Sequence, residues 1–295
     1  MKTKKQELIF DKITFTLPIE EDEREALLVR VNEPDFYQNY KRKVYRKTGG
    51  RYKNNYQFEI HDGNTIELSL YPINKSHNFL RVEYNPAKLG KDGRKALRKF
   101  LLKFLTVNLV KTIYFHAKVT RLDLTLDVYN MKPNLYIHKN RVKQSELHRD
   151  DDVITSQIIG SDKSNCRITL YDKNIEQGNT DSGTTYHRIE IRLRALDCSM
   201  HQLDANLLNE FAELNFFKAS FLKEKRLSKK FRNRAYKHGL NSALNELDDN
   251  DRRCYRRYLE DHQVYPISLD DSDFEEAHKV ALGSLVHTKY KENFL

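Results

Sequence analysis

The feature that most constrains this chain is a strict two-residue alternation in three separate stretches. They run Arg121-Leu122-Asp123-Leu124-Thr125-Leu126-Asp127-Val128, Arg167-Ile168-Thr169-Leu170-Tyr171-Asp172-Lys173 and Arg188-Ile189-Glu190-Ile191-Arg192-Leu193-Arg194. Side chains alternate across a strand, so each stretch puts its aliphatic residues on one face and its polar residues on the other. A sheet of such strands packs one face on helices and leaves the second lined with carboxylates, cations and a tyrosine. Arg/Glu pairs of this kind also serve as ordinary cross-strand glue in antiparallel sheets with one wet face. The pattern alone therefore defines a sheet. The argument for chemistry rests on three such strands combining acids, bases and a tyrosine in one basic protein.

The 295 residues carry a formal net charge of +10, with 32% charged, 39% hydrophobic and 11% aromatic residues. That is enough apolar material for one sizeable core, or for a core and an appendage. The positive field attracts polyanions, nucleic acid first. No apolar run approaches the roughly 18 residues of a membrane span. The start, Met1-Lys2-Thr3-Lys4-Lys5-Gln6, lacks the apolar stretch of a signal peptide, so the expectation is a cytoplasmic protein with no membrane partner. Cys166, Cys198 and Cys254 match neither a zinc pattern nor a disulfide framework, and the 11 histidines include no His-x-His pair.

Along the chain, alternation predicts strands over 7–18, 56–61, 65–71, 79–84, 121–129, 153–159, 166–172 and 186–194. Helical spacing predicts a helix capped by Asp92 and running to Val110, and another over about 202–225 (Leu203, Leu207, Leu208, Phe211, Leu214, Phe217, Phe221). The polar stretch 130–152 reads as a loop, and the tail as helices over 238–247, 249–262 and 274–288. Two basic segments stand out. Lys41, Arg42, Lys43, Arg46, Lys47, Arg51 and Lys53 alternate with tyrosines between Tyr40 and Tyr56, and Lys223 to Arg234 includes Lys229 and Lys230. Cations neutralise phosphates and tyrosine rings stack on bases, although both segments also suit plain solvated surfaces. A weak repeat runs through the chain. Leu68-Ser69-Leu70-Tyr71 followed by Leu80-Arg81-Val82-Glu83 parallels Ile168-Thr169-Leu170-Tyr171 followed by His187-Arg188-Ile189-Glu190. The expected fold is α+β: a largely antiparallel sheet from two pseudo-repeated ββα-type halves (about 1–115 and 116–230), helices on one face, and a helical C-terminal extension over 231–295.

The segment Gly160-Ser161-Asp162-Lys163-Ser164 through Arg167-Ile168-Thr169-Leu170-Tyr171-Asp172-Lys173 to Glu176 resembles the signature of the rolling-circle replication initiators often called the Rep_trans family. Those proteins show a Gly-Ser-x-Lys-Ser turn, an Arg-x-Tyr-x-Lys strand end, a nearby glutamate and an Arg-x-Glu-x-Arg strand. Val119 to Asp127 is similar to the family's Arg-Ile-Asp strand, and Val82-Glu83-Tyr84-Asn85-Pro86-Ala87-Lys88 echoes the gene II endonuclease of filamentous phages. The resemblance covers about residues 79–195; Asp162 departs from it, standing where many members carry a basic residue. It implies a plasmid- or phage-type endonuclease whose tyrosine, here Tyr171, attacks a phosphodiester at a replication origin. The enzyme keeps the 5′ phosphate and frees a 3′ hydroxyl for synthesis. Origin DNA, single-stranded or supercoiled, would be the partner. With no Gly-x-x-x-x-Gly-Lys-Ser/Thr motor loop in the chain, a host helicase and polymerase would complete the set.

The chemistry follows from the residues as well. A free tyrosine titrates near pH 10 and is a poor nucleophile at neutral pH. Lys173, on the same face, is expected to lower that value, and Arg167 to hold the phosphate. Asp123, Glu190, Asp127 and Glu176 form an oxygen-rich set suited to Mg²⁺ or Mn²⁺, in place of the paired histidines of better-known nicking enzymes. Lys163, Ser164, Arg121, Arg188 and Arg192 are expected to contact DNA together with the basic segments. Three other readings share these features: a mobilisation relaxase with the same chemistry, a DNA-binding replication factor without catalysis, and a metal-dependent hydrolase using water.

Overall fold

The computed structural model describes residues 6–45, 50–105, 113, 115–132, 134–179, 185–283 and 285. Within it the chain forms two compact units. The N-terminal unit comprises Phe10–Asp123, Arg194–Asp204 and Glu275–Leu295; the C-terminal unit comprises Met1–Ile9, Leu124–Leu193 and Ala205–Phe274.

The N-terminal unit contains most of β1 (Gln6–Leu17), α1 (Glu21–Asn32), α2 (Pro34–Asn39), β2 (Arg42–Tyr45), β3 (Tyr52–His61), β4 (Asn64–Pro72), β5 (Leu80–Tyr84), α3 (Gly90–Phe104) and the start of β6 (Lys118–Tyr129). Its strands run in the order β2-β3-β4-β5-β1, each adjacent pair antiparallel. Alternation works as read: Phe15 opposes Val82 and Leu17 opposes Leu80, all four nearly inaccessible. α3 buries Gly93, Leu97, Phe100, Leu101 and Phe104, the i, i+3, i+4 stripe of a one-sided helix. Phe36, Phe58 and Phe100 meet at 5.2–5.4 Å between ring centroids, the spacing of tilted and edge-on aromatic pairs. The helix begins at Gly90, so Asp92 lies in its first turn and is not its cap. The expected continuation to Val110 lies outside the described residues beyond Leu105.

The C-terminal unit continues β6 from Leu124 and adds β7 (Leu135–Lys139), β8 (Ser145–Asp150), β9 (Val153–Ile159), β10 (Cys166–Asp172), α4 (Lys173–Glu176), β11 (Tyr186–Ser199, in this unit to Leu193), α5 (Asn209–Ala212), β12 (Leu214–Lys218), α6 (Lys229–His238), α7 (Leu240–Asn245), α8 (Asp249–Glu260), β13 (Gln263–Val264) and the start of α9 (Asp271–Gly283). Its larger sheet runs β6-β11-β10-β9-β8, and a second small sheet runs β13-β12-β7. The fold class is thus α+β with antiparallel pairing in each unit.

Two expectations are corrected here. The stretch 130–152 is not a loop: it supplies β7 and β8. Their polarity disguised them because β7 carries buried polar residues with dedicated partners. Lys139 is ion-paired to Glu210 and Glu213 at 2.9 Å each, and the β7 backbone is bound by Gln157 of β9, which accepts from the Ile137 amide at 3.1 Å and donates to the Leu135 carbonyl at 2.5 Å. Nor is 202–225 one helix. Short helical turns flank β12, whose Leu214, Phe216 and Phe217 are buried in pairing with β7 and β13. The helices α6, α7 and α8 form an extension packed on the core of this unit. Phe231, Leu240, Leu244 and Leu259 share one core with Tyr136, Ile154, Phe217 and Phe221. The side chain of Asn241 ties α7 to the end of β7 by donating to the carbonyls of Lys139 (2.7 Å) and Val142 (2.6 Å).

Candidate active site

Tyr171 sits near the end of β10, where Ile168 and Leu170 are buried and Arg167, Thr169 and Tyr171 occupy the other face. Register with β11 places Arg167 opposite Arg192, Thr169 opposite Glu190 and Tyr171 opposite Arg188. Glu190 is therefore the diagonal neighbour of Tyr171, within reach of a long side chain. The Tyr171 hydroxyl donates to Glu190 Oε1 at 2.8 Å. Directly after the tyrosine, Asp172 acts as an N-cap, accepting from the amides of Asn174 (2.9 Å) and Ile175 (3.3 Å). That cap turns the chain into α4 and sets Lys173 Nζ 5.5 Å from the centre of the Tyr171 ring, where it also pairs with Glu176.

The electrostatics correct one expectation. Burial first, then the hydrogen bond and charge of Glu190, push the Tyr171 hydroxyl above its ordinary value; Arg188 opposes them. The charge of Glu176, the ion-pair partner of Lys173, adds to the rise. In this arrangement the tyrosine reacts only if its proton has somewhere to go as the bond forms, and Glu190 is the acceptor already in contact with it.

The carboxylates expected to hold a metal are each engaged elsewhere. Asp127 is clamped by Arg188, whose Nε and Nη2 donate at 2.6 and 2.8 Å, and its Oδ2 also accepts from the Tyr186 hydroxyl at 2.7 Å. Tyr186 was not singled out from the sequence; its spacing of two from Arg188 on β11 was the available signal. In the N-terminal unit, Asp123 accepts two bonds from Arg121, at 2.8 and 2.5 Å. Glu176 is occupied by Lys173. Among the described residues no group of three or more Asp, Glu, His or Cys side chains converges on a cation site. The carboxylate set therefore does not fit a preformed Mg²⁺ or Mn²⁺ centre. A metal would have to displace arginine from Asp123 and from Asp127.

The expected DNA contacts divide by availability. Arg121 and Arg188 are occupied by their aspartates, Lys41 pairs with Glu59 at 3.0 Å, and Arg42 donates to Val31 O (2.9 Å) and Asn32 Oδ1 (2.6 Å). Lys43, Arg51, Lys163, Lys229 and Lys230 are exposed; Arg46 and Lys47 lie outside the described residues. The turn before β10 is built by Gly160 at φ +87°, where an added Cβ would stand 2.8 Å from the Cys166 carbonyl, so no other residue fits. Ser164 closes that turn by accepting from the Ser161 amide at 2.9 Å, and Asp162 folds back onto Arg167. Hence Ser164 is a turn-former, while Arg167 faces Arg192 across the strands with Asp162 held against it.

No family model and no curated protein matches the chain. Among solved structures, it is similar to a rolling circle replication initiator protein from Geobacillus stearothermophilus, with a TM-score of 0.41 and 17% identity over 72% of this chain and 87% of that chain.

Proposed function

We propose that this protein is a replication initiator that nicks one DNA strand through Tyr171. The observation that carries the reading is the 2.8 Å hydrogen bond from the Tyr171 hydroxyl to Glu190 at the end of a cation-rich strand pair. Tyr171 Oη attacks the phosphorus as its proton passes to Glu190. The bond from phosphorus to the 3′ oxygen breaks, and that oxygen takes a proton from solvent. The products are a 5′-phosphotyrosine link and a free 3′ hydroxyl for a host polymerase, with a host helicase opening the duplex. Arg167 and Arg192 attract the strand, and Lys173 above the ring steadies charge developing on the tyrosine oxygen. The general-base role of Glu190 is worth about 10²–10⁴ in rate.

The test is covalent trapping on labelled origin DNA, single-stranded or supercoiled, analysed on a denaturing gel with Mg²⁺, Mn²⁺ or a chelator. Wild type forms an adduct that Tyr171→Phe does not. An adduct that persists in the variant would move the nucleophile to another tyrosine. Binding without adduct or nick in any condition would favour a DNA-binding replication factor, the reading that the raised Tyr171 value supports. The metal arms decide whether Mg²⁺ or Mn²⁺ acts here despite the arginine-clamped aspartates.

A further inference from the structure

The helix α8 reads Asp249-Asn250-Asp251-Arg252-Arg253-Cys254-Tyr255-Arg256-Arg257-Tyr258-Leu259-Glu260. Arg253, Arg256 and Arg257 follow i, i+3, i+4 spacing, which places them side by side on one face. All three are exposed, and among the described residues no ion pair or hydrogen bond holds them. They line a groove that also contains Asp249 and Glu260, but Asp249 is bound to Arg252 at 2.9 Å and Glu260 pairs with none of the three. Two other arginines of this unit are neutralised: Arg226 by Glu224 and Asp261 at 2.9 Å each, Arg234 by Glu246 at 2.8 Å. Three bare guanidiniums in adjacent positions repel one another and weaken a helix. Their field reaches the interior too, since Arg256, after burial, helps hold His138 down at about 4.

The helix that carries them is firmly seated. Asp248 caps it by accepting from the Asp251 amide at 2.9 Å, and Arg252 donates to the carbonyls of Leu244 (2.9 Å) and Leu247 (2.6 Å) at the end of α7. Leu259 is buried, and Tyr255 meets the edge of Phe231 at 5.0 Å. Tyr258 lies under Arg226 at 4.6 Å. Both tyrosines of the helix are thus committed to packing, leaving no ring on the arginine face for an unstacked base.

We propose that the Arg253/Arg256/Arg257 face of α8 binds the phosphate backbone of double-stranded DNA, through residues other than those around Tyr171. Unpaired guanidiniums on a firmly seated helix fit the regularly spaced charges of a duplex, whereas single strands are held by grooves that add aromatic stacking. The proposal needs no nicking, so it stands or falls apart from the Tyr171 reading.

The experiment measures binding of the full chain, in chelator, to a fluorescein-labelled duplex and to the matching single strand of about 30 nucleotides across a salt series. Wild type is compared with R253A/R256A/R257A and with R253K/R256K/R257K. The alanine variant is expected to bind duplex at least tenfold more weakly. Its slope of log affinity against log salt should be shallower by about 2–3, and its single-strand affinity nearly unchanged. The lysine variant keeps the charges and should keep the slope, which also guards against misfolding of the alanine protein. Unchanged duplex binding, equal losses on both probes, or loss of slope in the lysine variant would each overturn the proposal.

Discussion

Two strand pairs in this molecule carry a weakly repeated residue pattern and place its tyrosine and glutamate in different surroundings. On β4 and β5, Ser69, Tyr71, Arg81 and Glu83 correspond by sequence to Thr169, Tyr171, Arg188 and Glu190 on β10 and β11. In the first pair Ser69 opposes Arg81 and Glu67 opposes Glu83. In the second, Thr169 opposes Glu190 and Tyr171 opposes Arg188. The registers differ by two residues. A slide of two keeps every side chain on its own face yet changes every cross-strand partner. The consequence is chemical. Glu83 is buried and saturated, accepting from Thr14 at 2.8 Å and Arg81 at 2.5 Å with Lys12 at 3.3 Å. Burial works against its charge, but Arg81, Lys12 and Thr14 prevail and hold it at about 2. Tyr71 adopts φ +57° and packs on Phe79 at 4.7 Å, so its strand end is a structural corner. Glu190 instead accepts the hydrogen of Tyr171. One glutamate is a cemented anion, the other the hydrogen-bond acceptor of a tyrosine.

The sharpest way to break this comparison is to exchange the tyrosines for phenylalanine. Tyr171→Phe should lose adduct formation by more than about a thousandfold, while Tyr71→Phe retains it, both read on the trapping gel. A loss in Tyr71→Phe alone would reverse the two roles. Next, Glu190→Gln removes the proton acceptor and should slow nicking by about 10²–10⁴, whereas Glu83→Gln leaves the single-turnover rate of the folded protein within a few-fold. The smaller effects are on stability and invert the order of the pair. Glu83→Gln should lower unfolding free energy at pH 7 by on the order of 3 kcal/mol in urea titrations, as it strands Arg81 and Lys12 beside a neutral amide. The folded-state value of Glu83 is depressed, so its contribution is complete above the ordinary carboxylate range and disappears as pH falls toward about 2. The gap between wild type and Glu83→Gln should therefore close on acidification. The smallest is Thr14→Val, which deletes one buried hydrogen bond to Glu83 and should cost about 1 kcal/mol at pH 7 by the same titration.

Much of the fold was legible wherever one face is apolar. β1, β4, β5, β6, β9, β10 and β11 follow the alternation, and α3 follows its stripe of Leu97, Phe100, Leu101 and Phe104. Legibility failed where long-range partners override composition. His138 and Lys139 are buried on β7 because Glu210, Glu213 and packing from other elements accommodate them, none of which is local in sequence. β12 was concealed because Leu214, Phe217 and Phe221 happen to satisfy helical spacing while pairing with β7 and β13 decides for strand. At the candidate site, the sequence brought Tyr171, Lys173, Glu190 and Asp127 to notice, but it did not reveal that Tyr186 and Arg188 clamp Asp127.

By itself the sequence determined which residues share a face, since a two-residue period depends only on the backbone of each strand. It also determined the basic field and the tyrosine, acids and cations available for chemistry. Tertiary structure alone decided which of those groups meet. Strand register and the packing of distant helices are set by many weak contacts summed over the whole unit. That sum left Glu83 locked among cations, put Glu190 against Tyr171, and left Arg253, Arg256 and Arg257 bare on α8.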